Sequence, residues 1–171
     1  MNPNQNIILI GMSGAGKSTL GVLLAKALGK QFADTDLLIQ ARTGKLLQEI
    51  IDTEGIDRFL QIEEEVLLGC AFQNCVIATG GSAVYSEKAM QKLKQSGVAI
   101  YLAVDYEELK KRLSNITTRG IVFKGKGDLR ALFEERIPLY ERYADLTIDL
   151  SADSIEGSVE KLVLALQSTE L

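Results

Sequence analysis

Gly11-Met12-Ser13-Gly14-Ala15-Gly16-Lys17-Ser18 fits the phosphate-binding pattern G-x-x-x-x-G-K-[ST] at every defined position. Glycines let a backbone curl so that consecutive N–H groups point at phosphate oxygens. A helix starting near Gly16 adds its positive dipole end. Lys17 is placed to reach the β- and γ-phosphates of ATP, and Ser18 to hold Mg²⁺ through its hydroxyl. The competing reading is a chance Gly-rich turn, and the context opposes it. Ile7-Ile8-Leu9-Ile10 precedes the loop as a buried-strand pattern, and Thr19 to Leu28 follows with apolar residues at helical spacing.

Three further groups carry chemistry. Asp34-Thr35-Asp36 follows a second short strand, where strand ends line the ligand crevice of an open α/β sheet. One carboxylate there could serve Mg²⁺ through water and the other accept a substrate hydroxyl proton; both could equally cap the next helix. Thr79-Gly80-Gly81-Ser82 follows a third strand and offers either a close backbone approach to a ligand or a tight turn. Arg136, in Glu134-Glu135-Arg136-Ile137-Pro138-Leu139-Tyr140, suits a bidentate hold on a carboxylate or phosphate, or a surface pair with a nearby glutamate. The segment 115–127 (NITTRGIVFKGKG) reads as an exposed loop or as a mobile lid. As a lid it would bring Arg119, Lys124 and Lys126 to the transferring phosphate and exclude water.

Composition removes other chemistries. The chain has 171 residues, a net charge of −4 and no histidine, so no Ser-His-Asp or Cys-His machinery is available. The two cysteines, Cys70 and Cys75, match neither a redox nor a zinc spacing. They are expected to pack as small apolar residues in a reduced, cytoplasmic protein. The acidic balance gives no case for nucleic acid, and the apolar runs fall far short of the ~20 residues of a membrane span.

Alternation of short apolar strands with amphipathic helices predicts an α/β fold with a parallel sheet covered on both faces, in one domain over 1–171. Predicted strands are 7–10, 31–33, 75–79, 98–102 and 146–148. Predicted helices are 17–28, 36–43, 46–53, 58–72, 87–94, 106–113, 129–143 and 154–166. Gly29 and Gly97 read as helix stops, and Pro138 as a bend or break.

Taken together, these residues resemble the shikimate kinases, of the nucleoside-monophosphate-kinase-like group of phosphate-loop folds. The resemblance spans roughly 6–166 and rests on the succession of Asp34-Thr35-Asp36, Phe59-x-x-x-Glu63, Gly80-Gly81, Arg119 and Glu135-Arg136-x-Pro138-Leu139-Tyr140. It implies a three-layer kinase with five parallel strands in the order 2-3-1-4-5. It implies that Gly11, Ser13, Gly14, Ala15, Gly16, Lys17, Ser18 and Thr19 hold ATP, with Arg112 against the adenine. Ser18 and Asp34 would hold Mg²⁺. Asp36 would be the candidate base and bind the acceptor hydroxyls. Gly80 and Gly81 would offer backbone N–H groups, Arg136 would hold the acceptor carboxylate, and Arg119 would close over the phosphates from a lid at about 115–127.

The sequence departs from the family pattern at four positions, the main one being Leu60. The family's Phe-Arg-x-x-Glu reads Phe59-Leu60-Gln61-Ile62-Glu63, and Arg58 lies about 200° around a helix from Leu60. Gly-Glu reads Gly55-Ile56, Gly-Gly-Gly reads Gly80-Gly81-Ser82, and the lid Arg-Pro reads Arg119-Gly120. Losing one charge-assisted arginine contact weakens an anionic acceptor by roughly 10- to 100-fold. The expected function is transfer of the ATP γ-phosphate to shikimate by a monomeric enzyme. A related polyol or sugar acid such as gluconate is the alternative acceptor, and a nucleotide-binding module with a decayed acceptor site is the alternative role.

Overall fold

The computed structural model of the protein describes residues 4–114, 128–151 and 154–168. β1 (Asn6–Ile10) is buried along its whole length, as a strand covered on both faces must be. It lies between β3 (Cys75–Ala78) and β4 (Gly97–Ala103). β2 (Gln31–Asp34) pairs with the outer side of β3, and β5 (Leu146–Asp149) with β4. All pairings are parallel and the order is 2-3-1-4-5, as the resemblance implied. The chain turns from one side of β1 to the other, so the carboxyl ends of β2, β3 and β1 converge on one crevice.

Helices connect the strands: α1 (Lys17–Leu28), α2 (Thr35–Thr43), α3 (Leu47–Glu54), α4 (Ile56–Gly69), α5 (Glu87–Gln95), α6 (Tyr106–Ser114), α7 (Leu129–Tyr143) and α8 (Ile155–Ser168). A single 3₁₀ turn, Ala83–Tyr85, separates β3 from α5. The main core fills both faces of the sheet. A second cluster, Ile39, Ile50, Phe59, Ile62 and Val66, is buried among α2, α3 and α4. Five such side chains at ~1.5–3 kcal/mol each can hold together three helices that are too short to persist alone.

α1 and α7 have the predicted bounds, and α1 stops at a left-handed Gly29. Three readings change. Gly97 does not stop α5, which ends at Gln95 with Ser96 as its C-cap; it opens β4, where a Cβ would come within 2.5 Å of the Asn6 carbonyl oxygen. Pro138 does not break α7. Pro138 and Glu134, whose carbonyl loses its helix donor there, are both exposed, so that carbonyl is left open to solvent, while Leu132, Arg136, Tyr140 and Tyr143 anchor the buried face. α4 runs 56–69 rather than 58–72, because Gly55 serves as its N-cap.

Candidate active site

The phosphate loop leaves β1 through Gly11, whose φ of 142° only glycine adopts readily, and a Cβ there would lie 2.8 Å from the Leu102 carbonyl oxygen. Ala15 and Lys17 are buried, Ser13 and Ser18 half-buried, and Thr19 exposed. Lys17 Nζ donates to the carbonyls of Gly11 (2.6 Å) and Met12 (2.8 Å). The ammonium is thus held inside the curl of its own loop. On the other side, a Cβ on Gly14 would lie 3.0 Å from Leu113 and 3.3 Å from Leu109 of α6.

A cleft of about 280 Å³ opens beside this loop, lined by Ser13, Gly14, Lys17, Ser18, Asp34, Asp36, Thr79 and Gly81. Three strand ends therefore contribute to one cavity, as the sequence predicts. Asp34 and Asp36 do not both sit on the strand end, however. Asp34 closes β2 and caps α2, its Oδ1 accepting from the Asp36 backbone N–H at 3.0 Å. Asp36 lies in the first turn of α2. The capping reading holds for Asp34, and both carboxyl groups still line the cleft.

A tight recess of about 10 Å³ continues from the cleft, lined by Ser13, Asp36, Leu47, Phe59, Gly80, Gly81, Ser82 and Arg136. Arg136 is 1 % exposed. Its Nε donates to the Tyr85 hydroxyl at 3.2 Å, and Tyr85 donates in turn to Glu135 Oε1 at 2.6 Å. Tyr140, four residues on and fully buried, donates to the Gly81 carbonyl at 2.7 Å and stacks on Tyr101. Burial raises the titration of both Tyr85 and Tyr140, keeping the phenols neutral. α7 thus delivers the cation and fixes the loop beside it.

The Gly80 N–H donates to Thr35 Oγ1 at 3.0 Å. What the position requires is the missing side chain. A Cβ on Gly80 would lie 2.2 Å from Glu63 Oε1 and 2.9 Å from Asp36 Oδ1. Glu63 is 2 % exposed and pushed up to about 7, first by burial and then by the Asp36 charge; Ser82, Arg136 and Lys17 pull the other way. Glu63, beside Gly80, and Tyr85, bonded to Arg136, adjoin the recess, and sequence reasoning gave neither a role. The signal for Glu63 was its place in Phe59-x-x-x-Glu63; a lone tyrosine gave none.

Leu60 lines a neighbouring cavity of about 160 Å³ with Gln61, Glu63, Glu64, Ser82, Tyr85 and Ser86, and does not line the Arg136 recess. Arg58 points away from both, to Glu54 at the end of α3 and Glu65 on the exposed side of α4. It offers no substitute for a cation at Leu60. Arg112 is tied to Glu108 and the Leu150 carbonyl on α6, outside the cleft lining. Arg119 and the lid segment lie outside the described residues.

The shikimate kinase family profile matches residues 13–167. The chain belongs to the shikimate kinase family. The shikimate kinase of Thiobacillus denitrificans is 38% identical over 165 residues, covering 95% of this chain and 90% of the relative. That of Nitrosomonas europaea is 39% identical, covering 96% and 79%. The solved shikimate kinase of Acinetobacter baumannii in complex with shikimate superposes with a TM-score of 0.89 at 33% identity, over 98% of this chain and 95% of that one. A thymidylate kinase from Candida albicans, at 14% identity and TM-score 0.63, shares the fold alone. Among the described residues, no helix is long and apolar enough to cross a membrane.

Proposed function

We propose that this protein transfers the γ-phosphate of ATP to a hydroxyl of shikimate. The observation that carries this reading is the shared wall of the two cavities. Ser13, Asp36 and Gly81 line both the phosphate cleft and the Arg136 recess. An acceptor anchored at Arg136 would present a hydroxyl between Asp36 and the phosphate loop.

In this reading Lys17 leaves the Gly11 and Met12 carbonyls to meet the β- and γ-phosphates. Arg136 holds the shikimate carboxylate in a charge-assisted pair. Asp36 accepts the hydroxyl proton as the acceptor oxygen bonds to phosphorus and the bond to the β,γ-bridging oxygen breaks, releasing ADP. Among the described residues, no group of three or more His, Cys, Asp or Glu could hold a metal. The donor set nonetheless suits Mg²⁺, which needs only one or two protein ligands beside phosphate oxygens and water. Ser18 would bind it directly and Asp34 through water. Mg²⁺ supplies charge neutralisation on the transferring phosphate when bound. The reading extends to a monomer in the cytoplasm, where free Cys70 and Cys75 stay reduced.

The test is ADP release measured with ATP and shikimate, with ATP and gluconate, and with ATP alone. Shikimate-dependent release well above the other two is expected. Equal rates in all three would overturn the assignment.

A further inference from the structure

Glu63 Oε1 is one of two buried side-chain polar atoms among the described residues with no hydrogen-bond partner. The other, on Gln5, lies near the opposite end of the sheet. A buried carboxyl oxygen left unsatisfied carries a desolvation cost and calls for a partner that arrives later. Its position says where that partner comes from. Glu63 Oε1 and Asp36 Oδ1 both lie within 3 Å of the point where a Gly80 side chain would start. Arg136 Nη1 stands 3.1 Å from the corresponding point at Gly81. The orphaned oxygen therefore borders the same Gly80-Gly81 wall as the groups that flank the acceptor. Leu60, three residues earlier on the same face of α4, shares a cavity with Glu63 and offers it nothing polar.

The protein around Glu63 favours its neutral form. From α2 comes the Asp36 carboxylate, which opposes a second negative charge. From α7 comes Arg136, engaged with Tyr85, and from α1 Lys17, engaged with the Gly11 and Met12 carbonyls. Ser82 adds a hydroxyl. On α4 itself Glu64 is bound by the Ser86 hydroxyl, and Lys92 of α5 donates to the Cys70 carbonyl at the far end of the helix. From α3, Glu54 pairs with Lys45 and Arg58 on the exposed side. An anionic acceptor arriving beside Arg136 adds one more negative charge to this setting.

We propose that Glu63 is a specificity-determining residue of the acceptor pocket, which as the neutral acid donates a hydrogen bond to the anionic group that Arg136 holds. This deepens the shikimate reading and rests on it. The proton comes from solvent and stays on Glu63; no bond is made or broken. The consequence is that acceptor binding is linked to proton uptake. Above neutrality the site must first recover a proton before it takes a carboxylate.

The experiment is the steady-state KM for shikimate from pH 6 to pH 8 at saturating ATP. For a carboxyl titrating near 7, KM should rise roughly tenfold across that range while kcat changes little. The KM for ATP should not follow. Glu63→Gln keeps a neutral donor and should give a flat KM profile near the wild-type value at pH 6. Leu60→Arg places a cation beside Glu63 and holds it ionised, and should also flatten the profile while keeping the fold. A wild-type shikimate KM flat from pH 6 to pH 8, or an unchanged slope in either variant, would overturn the proposal. Absence of any shikimate-dependent ADP release would instead sink the function it rests on, and the two failures are read from different columns of the same data.

Discussion

The Tyr85 hydroxyl accepts from Arg136 Nε at 3.2 Å while the Tyr85 ring lies 5.1 Å below the guanidinium carbon. One side chain thus supports the buried cation twice, through its edge and its face. Tyr85→Phe keeps the ring and removes the acceptor. With hydrogen bonds to charged groups worth ~1.5–3 kcal/mol and the ring contact retained, the shikimate KM should rise by about tenfold. The KM for ATP should hold. If both constants moved together, Tyr85 would serve the whole site and not Arg136.

Lys17→Ala should lower kcat by two or more orders of magnitude, because the phosphates lose their main charge partner in the transition state. The Gly11 and Met12 carbonyls also lose a donor, so the melting temperature is measured alongside. A folded Lys17→Ala protein with wild-type turnover would remove the phosphate role.

Asp36→Asn and Asp34→Asn should separate. Asn at 34 can still cap α2, so its effect should appear in the Mg²⁺ dependence. Asn at 36 cannot take a proton and should depress kcat at every Mg²⁺ concentration. Identical responses to a Mg²⁺ titration would erase the division of roles.

Gly80→Ala places a methyl 2.2 Å from Glu63 Oε1 and 2.9 Å from Asp36 Oδ1. Something must shift, at a cost typical of overpacking, ~1–3 kcal/mol. Both carboxyl groups flank Gly80, which lines the proposed acceptor recess, so shikimate saturation should be lost before nucleotide binding. Nucleotide binding can be followed by fluorescent ATP analogue titration, and stability by urea midpoint. A Gly80→Ala protein with unchanged midpoint and unchanged shikimate KM would contradict the packing described.

Glu63 also sets a pH dependence of stability. Its carboxyl titrates near 7 folded, against 4.5 exposed. Between those values the folded chain keeps a proton the unfolded chain has lost. Stability therefore falls as pH rises through that window and levels off above 7. The penalty is on the order of 3 kcal/mol. Glu63→Gln should gain on the wild type from pH 5 to pH 7 in urea midpoints, with a constant difference above. A difference that does not vary with pH would mean Glu63 titrates normally.

The parts of this fold that were readable in the sequence are those held by local rules. The loop from Gly11 to Ser18, α1 and the strand order follow from an apolar run, a glycine pattern and a family resemblance. Long-range contacts were not readable. Gly97 looks like a helix stop because the stop signal is local, while its reason, the Asn6 carbonyl, is 91 residues away in sequence. Nothing local to Gly80 shows that its amide bonds Thr35, 45 residues earlier. Pro138 forecast a bend or a break, and α7 runs through it without a break because its exposed face tolerates the proline. Tyr85 and Glu63 acquire meaning only when α4, α7 and the loop after β3 meet.

The separate cluster around Ile39, Ile50 and Phe59 has a mechanical consequence. One wall of the acceptor recess, Leu47 and Phe59, belongs to that small cluster, with Asp36 on α2 beside it; the opposite wall, Gly81 and Arg136, comes from the loop after β3 and from α7, whose Leu132 and Tyr140 are packed in the main core. An acceptor in the recess is therefore mortar between two bricks, and its grip is transmitted to helices it never touches. Amide exchange in α2 and α3 should slow on shikimate addition by more than exchange in β1 or β4, whose protection is already set by the sheet.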